Sequence, residues 1–96
     1  MAASIENVKK GLRTRQAVLQ FLVDHLAEHG WAPSHQEIAE AVGLKSSYGV
    51  RWHLDVLEGD GYIRREANVP RAMAIADKAM VADFLAEDLT FEAEVV

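Results

Sequence analysis

Apolar residues in the first third of the chain recur at three- and four-residue steps, as Val18, Leu22 and Leu26 illustrate. This spacing places them on one face of a helix, so the pattern predicts an amphipathic helix over residues 13–29. Gly30 follows directly and is typical of a helix C-terminus.

A short second helix is predicted from its capping signals. Ser34 stands three residues before Glu37 in "PSHQE", which is the spacing of a capping box. Gly43 favours a left-handed stop, and Ser46 or Ser47 caps a third helix after a tight link. Two short helices joined this closely indicate a helix-turn-helix.

The third predicted helix, over residues 47–58, has two faces of different character. Three apolar residues stack on one face: Val50, Leu54 and Leu57. Tyr48 and Trp52 point the opposite way. Large aromatic side chains that face away from a core predict a partner, and the pattern leaves open whether it is nucleic acid, another protein or another part of this fold.

Two strand-like segments follow the glycines of "EGDG". "YIRRE" (residues 62–66) and "RAMAI" (residues 71–75) have strand-like composition, and "ANVP" is short enough to join them as a hairpin with Pro70 at its edge. The predicted fold is therefore α+β and mainly α: a three-helix winged helix-turn-helix with a two-stranded β-hairpin wing.

The formal net charge of −5 is unevenly distributed along the 96 residues. Residues 1–75 carry nine Lys or Arg and nine Asp or Glu, whereas residues 76–96 carry one Lys and six acids. Because the acidity belongs to the C-terminal segment and cationic patches such as "KKGLRTR" remain, the net charge does not exclude DNA. We divide the chain into an N-terminal extension (1–11), a domain (12–75) and an acidic tail (76–96).

The acidic tail is amphipathic rather than uniformly polar. Its large apolar residues have helical spacing: Val81, Phe84, Leu85 and Leu89. Such a stripe packs on its own domain, on a second copy or on another protein. We predict a homodimer in which these four side chains pack against their copies, and a folded monomer after truncation at Ile75.

The composition narrows the function further. There is no cysteine for disulfides or thiolate metal sites, and no apolar run approaches the roughly 20 residues of a membrane span. We expect a soluble cytoplasmic protein without a cofactor. "HLAEH" has the H-x-x-E-H spacing of some metalloproteases, but the chain is too short for a third ligand and a cleft, so we predict no enzyme. The plainer interpretation places His29 near a helix C-terminus, where a cation is favoured, and His25 on the helix surface or half-buried.

Five elements together resemble the N-terminal DNA-binding domain of LexA repressors over residues 12–75: the opening "RQ", "G-x-x-P-S", "EIAEAVGLKS", "HL-x-x-L" and "GYIRR…PRAM". The resemblance implies that the third helix enters the major groove, that the wing contacts the flanking backbone or minor groove, and that dimers bind palindromic operators. It also implies five base-reading positions: Ser46, Tyr48, Gly49, Arg51 and Trp52. LexA repressors continue into a Ser–Lys autoprotease domain, which the 21 residues after Ile75 do not accommodate.

The residue chemistry agrees with this resemblance. Arg51 is suited to donate two hydrogen bonds to guanine, and Tyr48 to contact a phosphate or a thymine methyl group. Gly49 lowers helix propensity, which is easiest to explain by the close approach of another molecule such as a DNA backbone. Asp55 and Glu58 are suited either to accept from cytosine or to pair with nearby cations. The alternative for this face is a protein contact patch.

Cationic residues of the wing are predicted to contact phosphates, which position a domain on DNA without specifying sequence. The alternative is a solvated strand face in which an arginine pairs with Glu66. The predicted double-stranded DNA-binding residues are Ser46, Ser47, Tyr48, Gly49, Arg51, Trp52, Arg64, Arg65 and Arg71. We therefore predict a stand-alone, LexA-like DNA-binding repressor that forms a homodimer through its tail, and as the alternative a protein-binding winged helix or a repressor antagonist that acts through the tail.

Overall fold

The computed structural model describes residues 5–66, 69 and 71–89. In chain order the elements are α1 (Ile5–His29), α2 (His35–Val42), α3 (Ser47–Gly59), β1 (Ile63–Arg65), β2 (Met73–Ile75) and α4 (Lys78–Leu85). The predicted winged helix-turn-helix is confirmed: three helices precede a two-stranded antiparallel hairpin, and the amphipathic segment after the hairpin adds a fourth helix.

Helix α1 begins eight residues earlier than the apolar spacing predicts. The added stretch, "IENVKKGL", contains no proline, and its single Gly11 lowers helix stability without ending the helix. Residues 5–11 of the predicted N-terminal extension therefore share a helix with the domain, and residues 1–4 lie outside the described residues. The central apolar face of α1 supplies part of the core, where Val18, Leu19 and Leu22 are fully buried.

Helix α2 begins and ends at the residues that its sequence signals predict. The Glu37 backbone N–H donates to Ser34 Oγ over 3.1 Å, and the Ser34 backbone N–H donates to Glu37 Oε1 over 2.7 Å, so both halves of the capping box form. Gly43 ends the helix with φ 80°, a left-handed conformation that favours glycine. These two ends fix the turn that leads into α3.

The wing is a short antiparallel ladder in which Ile63 pairs with Ile75, Arg64 with Ala74 and Arg65 with Met73. The Ala76 backbone N–H donates to the Tyr62 carbonyl over 2.9 Å and extends the ladder at its base. Ile63 is buried in the core and anchors the wing there. The predicted edge position of Pro70 lies outside the described residues.

The helix of the acidic tail packs on its own domain, the first of the three possibilities that the sequence leaves open. Val81 and Phe84 are only 5% and 6% exposed and belong to the same core as α1 and α3. Of the four apolar residues predicted to pack against a second copy, only Leu85 and Leu89 therefore remain partly at the surface.

Polar contacts from α1 hold the end of α4. The Gln16 side-chain amide donates to the Phe84 carbonyl over 2.8 Å and to the Glu87 carbonyl over 2.9 Å, so it satisfies two carbonyl groups at the helix C-terminus. Arg13 Nη1 donates to the Leu89 carbonyl over 2.8 Å. Residues 76–89 are thus joined to α1 by both apolar packing and hydrogen bonds. The last seven residues of the predicted tail lie outside the described residues.

Within the part of the chain that the structure describes, no helix is both long enough and apolar enough to cross a membrane.

Candidate nucleic-acid interface

Helix α3 has the two faces that its sequence predicts. Val50, Leu54 and Leu57 are fully buried, whereas Tyr48 is 76% exposed and Trp52 is 53% exposed. Arg51 is exposed between the two aromatics in sequence, and its guanidinium makes no hydrogen bond or ion pair with another described residue. The outer face of α3 therefore presents one guanidinium together with a large aromatic surface.

Trp52 has a partner within the fold. The guanidinium carbon of Arg15, on α1, lies over the Trp52 ring at 5.0 Å from its centroid, a cation–π arrangement. Arg15 Nε also donates to His53 Nδ1 over 3.3 Å, and the His53 ring meets the Trp52 ring edge-on at 5.0 Å. The question raised by the sequence is thus partly answered: one side of Trp52 belongs to its own domain, and half of the side chain remains exposed.

Two histidines, one within α3 and one at the start of α2, favour their neutral forms. Burial and then the Arg15 charge lower the pKa of His53, which is 6% exposed. Burial, followed by the charges of Arg51 and Arg65, also lowers the pKa of His35 at the start of α2. Because Arg15 donates to Nδ1 of His53, that nitrogen carries a lone pair and the proton resides on Nε2.

The N-terminus of α3 is exposed and its cap is incomplete. Ser46 is the N-cap, as predicted, but its side chain makes no capping hydrogen bond. Ser46 and Ser47 are both exposed. The first backbone N–H groups of a helix have no partner within the helix, so this end has the donors that an anion binds.

Gly49 is not required by the packing of this domain. A Cβ atom at this position would lie 3.7 Å from Leu44 Cδ1, which is ordinary van der Waals contact. The residue has a helical conformation that any amino acid adopts. The fold thus gives no internal reason for glycine here, and the close approach of another molecule stays a prediction.

Arg65, a predicted phosphate contact, is engaged within the fold. Its Nη2 lies 2.6 Å from Asp55 Oδ1 and 2.7 Å from Glu58 Oε1, and its Nε donates to the same Glu58 oxygen over 3.1 Å. These hydrogen bonds, together with the charges of both acids, raise the pKa of Arg65 despite its partial burial. Of the two alternatives for Asp55 and Glu58, the structure shows pairing with a cation. The cation is Arg65, and the arginine–Glu66 pair weighed for the wing is not the one that forms at this residue.

The other two wing arginines differ in their surroundings. Arg64 is exposed on β1, and its guanidinium makes no hydrogen bond or ion pair with another described residue. Arg71 Nη2 lies 3.7 Å from Glu37 Oε1, with both side chains about half exposed, a pair that contributes little at a surface. Arg71 has φ 59°, a left-handed conformation at the turn of the wing. Both guanidiniums are accessible, whereas that of Arg65 is held by acids.

The contacts of Arg15 do not follow from the sequence alone. Arg15 lies in the same basic segment as Lys9, Lys10 and Arg13, yet in the structure Arg15 contacts α3 whereas Arg13 contacts the acidic tail. Residues 15 and 52 are 37 positions apart, so no local spacing connects them. Only the crossing of α1 and α3 brings them together.

The H-x-x-E-H motif forms an aromatic row. His25 Nδ1 donates to the Trp31 carbonyl over 2.8 Å, and the rings of His25 and His29 lie 4.3 Å apart. The described residues contain no group of three or more His, Cys, Asp or Glu arranged to hold a metal ion. The histidines therefore pack along the end of α1 and its following turn.

Sequence comparison identifies the family. Residues 9–72 match the model of the LexA DNA binding domain. A LexA repressor from Geobacillus kaustophilus is 42% identical over 77 residues, covering 80% of this chain and 37% of the relative. A LexA repressor from Geobacillus sp. (strain WCH70) is 45% identical over 78 residues (81% of this chain, 36% of the relative), and one from Caldicellulosiruptor saccharolyticus is 45% identical over 71 residues (73% and 35%).

The chain spans about a third of the length of these curated relatives, so the match concerns one part of each. The matched region contains α2, the turn, α3 and β1, together with most of α1. The predicted resemblance is confirmed: this chain belongs to the LexA DNA-binding domain family.

Proposed function

We propose that this domain binds double-stranded DNA sequence-specifically and represses transcription by occupying an operator. The observation that carries the proposal is the outer face of α3, the second helix of a helix-turn-helix. There Arg51, whose guanidinium pairs with no other described residue, is exposed beside Tyr48 and Trp52. In this motif the second helix enters the major groove with its N-terminal residues against base edges. The relatives are all named repressors, which supports repression rather than activation.

The residues of the proposed interface divide into base and backbone contacts. Arg51 donates to guanine O6 and N7, with Tyr48 and Trp52 against neighbouring bases. Gly49 allows the DNA to approach the helix closely. Phosphates are contacted by four exposed residues at the start of α3 and on the wing: Ser46, Ser47, Arg64 and Arg71. Arg65 lies on the same surface, but its role is to neutralise Asp55 and Glu58 rather than to contact a phosphate.

Binding to a duplex selected from random sequences, measured at several salt concentrations, tests the proposal. Each phosphate that the protein neutralises contributes about −0.9 to the slope of log K against log [salt] for B-form DNA. We expect a slope of about −1.8 or steeper for each bound domain, from the two accessible wing arginines, and tighter binding to the selected duplex than to a scrambled one. The absence of binding at low salt would overturn the proposal and favour the alternative, a winged helix that binds protein.

Repression itself needs a separate measurement, because occupancy of DNA does not determine its sign. A reporter promoter that carries the selected site between its core elements is expected to lose expression when this chain is produced. Arg51→Ala is the matched control, since it removes the proposed guanine contact from an exposed position. Increased expression from the same promoter would contradict a repressor.

The proposed function includes a homodimer that uses the surface of α4 left free by its packing. A groove of about 470 Å³ runs between α1 and α4, lined mainly by apolar side chains: Val23, Leu26, Ala27, Ile75, Val81, Ala82 and Leu85, with Lys78 at its rim. Helix α4 begins with Lys78, while Asp83 and then Glu87 lie towards its other end. A second copy packed with its α4 antiparallel would place each Lys78 near the acids of its partner.

Sedimentation of the full chain tests this dimer. Leu85→Asp adds a charge to the groove and is expected to give a monomer that binds a palindromic site much more weakly but a half-site equally well. Ala79→Glu is the matched control, because it adds a charge to an exposed position of α4 outside the groove and should leave the dimer intact. A wild-type chain that sediments as a monomer would overturn the proposed homodimer and favour the alternative, in which the tail binds a different protein.

A further inference from the structure

The two carboxylates on α3 that are suited to accept from a base are already paired with a cation. Asp55 and Glu58 both bind Arg65, at 2.6 Å and 2.7 Å. The Arg65 charge partly neutralises both carboxylates, so each is a weaker acceptor for cytosine N4 than a free carboxylate. Sequence reading by α3 therefore depends mainly on the remaining groups of its outer face.

Those remaining groups are dominated by aromatic surface. Tyr48 and Trp52 are four residues apart, which places them on the same side of the helix about 6 Å apart along its axis. Successive bases of one strand rise by about 3.4 Å, so the two rings are spaced for bases about two steps apart. Together with Arg51 and Asp55 they line a shallow cleft of about 250 Å³.

Trp52 is held in place before any ligand arrives. Arg15 covers one face of the indole at 5.0 Å, and the His53 ring abuts it edge-on. A side chain that is already ordered loses less conformational entropy on binding. The exposed half of the indole is therefore a preformed apolar surface rather than a mobile side chain.

The major groove offers one apolar group to such a surface. Among the four bases only thymine carries a methyl group, at C5, whereas the other groove-facing atoms are hydrogen-bond donors or acceptors. We infer that Tyr48 and Trp52 read C5-methyl groups, so that the preferred half-site places methyl-bearing pyrimidines on either side of the guanine bound by Arg51. This inference rests on the proposed DNA binding and specifies what the same surface recognises.

Replacing thymine by deoxyuridine tests the inference, because the exchange removes the methyl group and keeps the base pair. Each thymine of the selected duplex is replaced singly, and its affinity for the wild-type chain is measured. Loss of one buried methyl group corresponds to about a fourfold weaker affinity, and we expect it at one or two thymines near the guanine. In a duplex that carries cytosine in place of one of these thymines, replacing that cytosine by 5-methylcytosine should strengthen binding by a similar factor.

Variants then assign each methyl group to a side chain. In Tyr48→Ala and in Trp52→Ala the thymine-to-uracil affinity ratio should fall to about one at a single, different position, while the ratio at the other position persists. Val69→Ala is the matched control, since it removes an exposed apolar side chain from the wing and should change neither ratio. Circular dichroism of each variant verifies that it is folded.

The outcomes separate this inference from the function on which it rests. Sequence-specific, salt-dependent binding with equal affinity for thymine and uracil at every position would overturn methyl recognition and leave the proposed function standing. Ratios that survive in both aromatic variants would assign the methyl groups to other residues and also overturn it. Absence of any binding at low salt would overturn the proposed function itself.

Discussion

The Arg15 guanidinium lies over the Trp52 indole, with its central carbon 5.0 Å from the ring centroid. The same side chain donates a hydrogen bond to the buried His53. One residue of α1 therefore holds two consecutive residues of α3, one facing the core and one facing outward. The orientation of α3 relative to α1 depends on this contact as well as on the apolar core.

The first prediction concerns the energy of this contact. Arg15→Ala should lower the free energy of unfolding by about 1–2 kcal/mol, since it removes a cation–π pair worth about 0.5–1 kcal/mol and a hydrogen bond worth about 1 kcal/mol. Urea denaturation of Arg15→Ala, Trp52→Ala and the double variant measures the coupling, which we expect at about 0.5–1 kcal/mol. Strictly additive losses would show that the stacking contributes nothing.

The second prediction is a dependence of stability on pH. In the folded chain the pKa of His53 lies below its usual value of 6.5, so between the two values the unfolded chain binds more protons than the folded one. Stability is therefore full above about pH 6.5 and falls as the pH is lowered towards the folded-state pKa. His35, whose pKa is also lowered, adds to this fall.

His53→Gln tests this assignment, because glutamine keeps a neutral acceptor for Arg15 and cannot be protonated. The denaturation midpoint of the variant should change less between pH 8 and pH 5 than that of the wild type. His29→Gln, at the exposed end of α1, is the control and should keep the wild-type slope. A slope unchanged by His53→Gln would show that other groups cause the loss of stability in acid.

The third prediction separates base reading from backbone contact. Arg51→Ala should cost about 1–3 kcal/mol on the selected site and much less on a scrambled duplex, because it removes the proposed guanine contact. Arg64→Ala should weaken both duplexes alike and reduce the salt slope by about one. Competition binding measures both, and equal losses on the two duplexes for Arg51→Ala would remove it as a base reader.

The fourth prediction concerns the role of Arg65. Its removal leaves Asp55 and Glu58 as unpaired acids on the face of α3 nearest the wing, so Arg65→Ala should weaken DNA binding several-fold. In an Asp55→Asn, Glu58→Gln background the same substitution should have little effect, because no negative charge remains to be neutralised. Equal losses in both backgrounds would instead indicate that Arg65 contacts a phosphate directly.

Local signals explain why so much of the fold was predictable. The apolar spacing of α1, the Ser34–Glu37 capping box and the left-handed Gly43 each act within a few residues, and each is confirmed in the structure. The outward position of Tyr48 and Trp52 follows from the same helical spacing. Elements whose determinants lie close together in sequence were thus identified without knowledge of the tertiary structure.

What the sequence left open depends on contacts between distant residues. The sequence predicts Arg65 as a phosphate contact and allows Asp55 and Glu58 to pair with some cation, but it does not predict that these residues pair with one another, as they do in the structure. The stripe of the tail predicted burial without saying against what, and the structure shows that α1 receives Val81 and Phe84. Spacing defines a face, whereas the surface that covers the face is decided by the whole fold.

The fifth prediction is that α4 is needed for folding. Phe84 is 6% exposed, its ring lies 5.3 Å from that of Tyr62, and its carbonyl accepts from Gln16. Phe84→Ala should cost about 3–5 kcal/mol, a large share of the roughly 5–15 kcal/mol that stabilises a small domain. Asp83→Ala, at the neighbouring exposed position, should change stability by no more than about 0.5 kcal/mol.

Truncation after Ile75 removes Val81 and Phe84 together and leaves the face of α1 beneath them exposed to water. We therefore expect the shortened chain to be unfolded or to unfold at far lower urea concentration, in contrast to the folded monomer that the sequence alone predicts. Circular dichroism during urea titration measures this, with the full chain as reference. A truncated chain with a cooperative transition at the wild-type midpoint would show that α4 contributes nothing to the core and serves only as a contact surface.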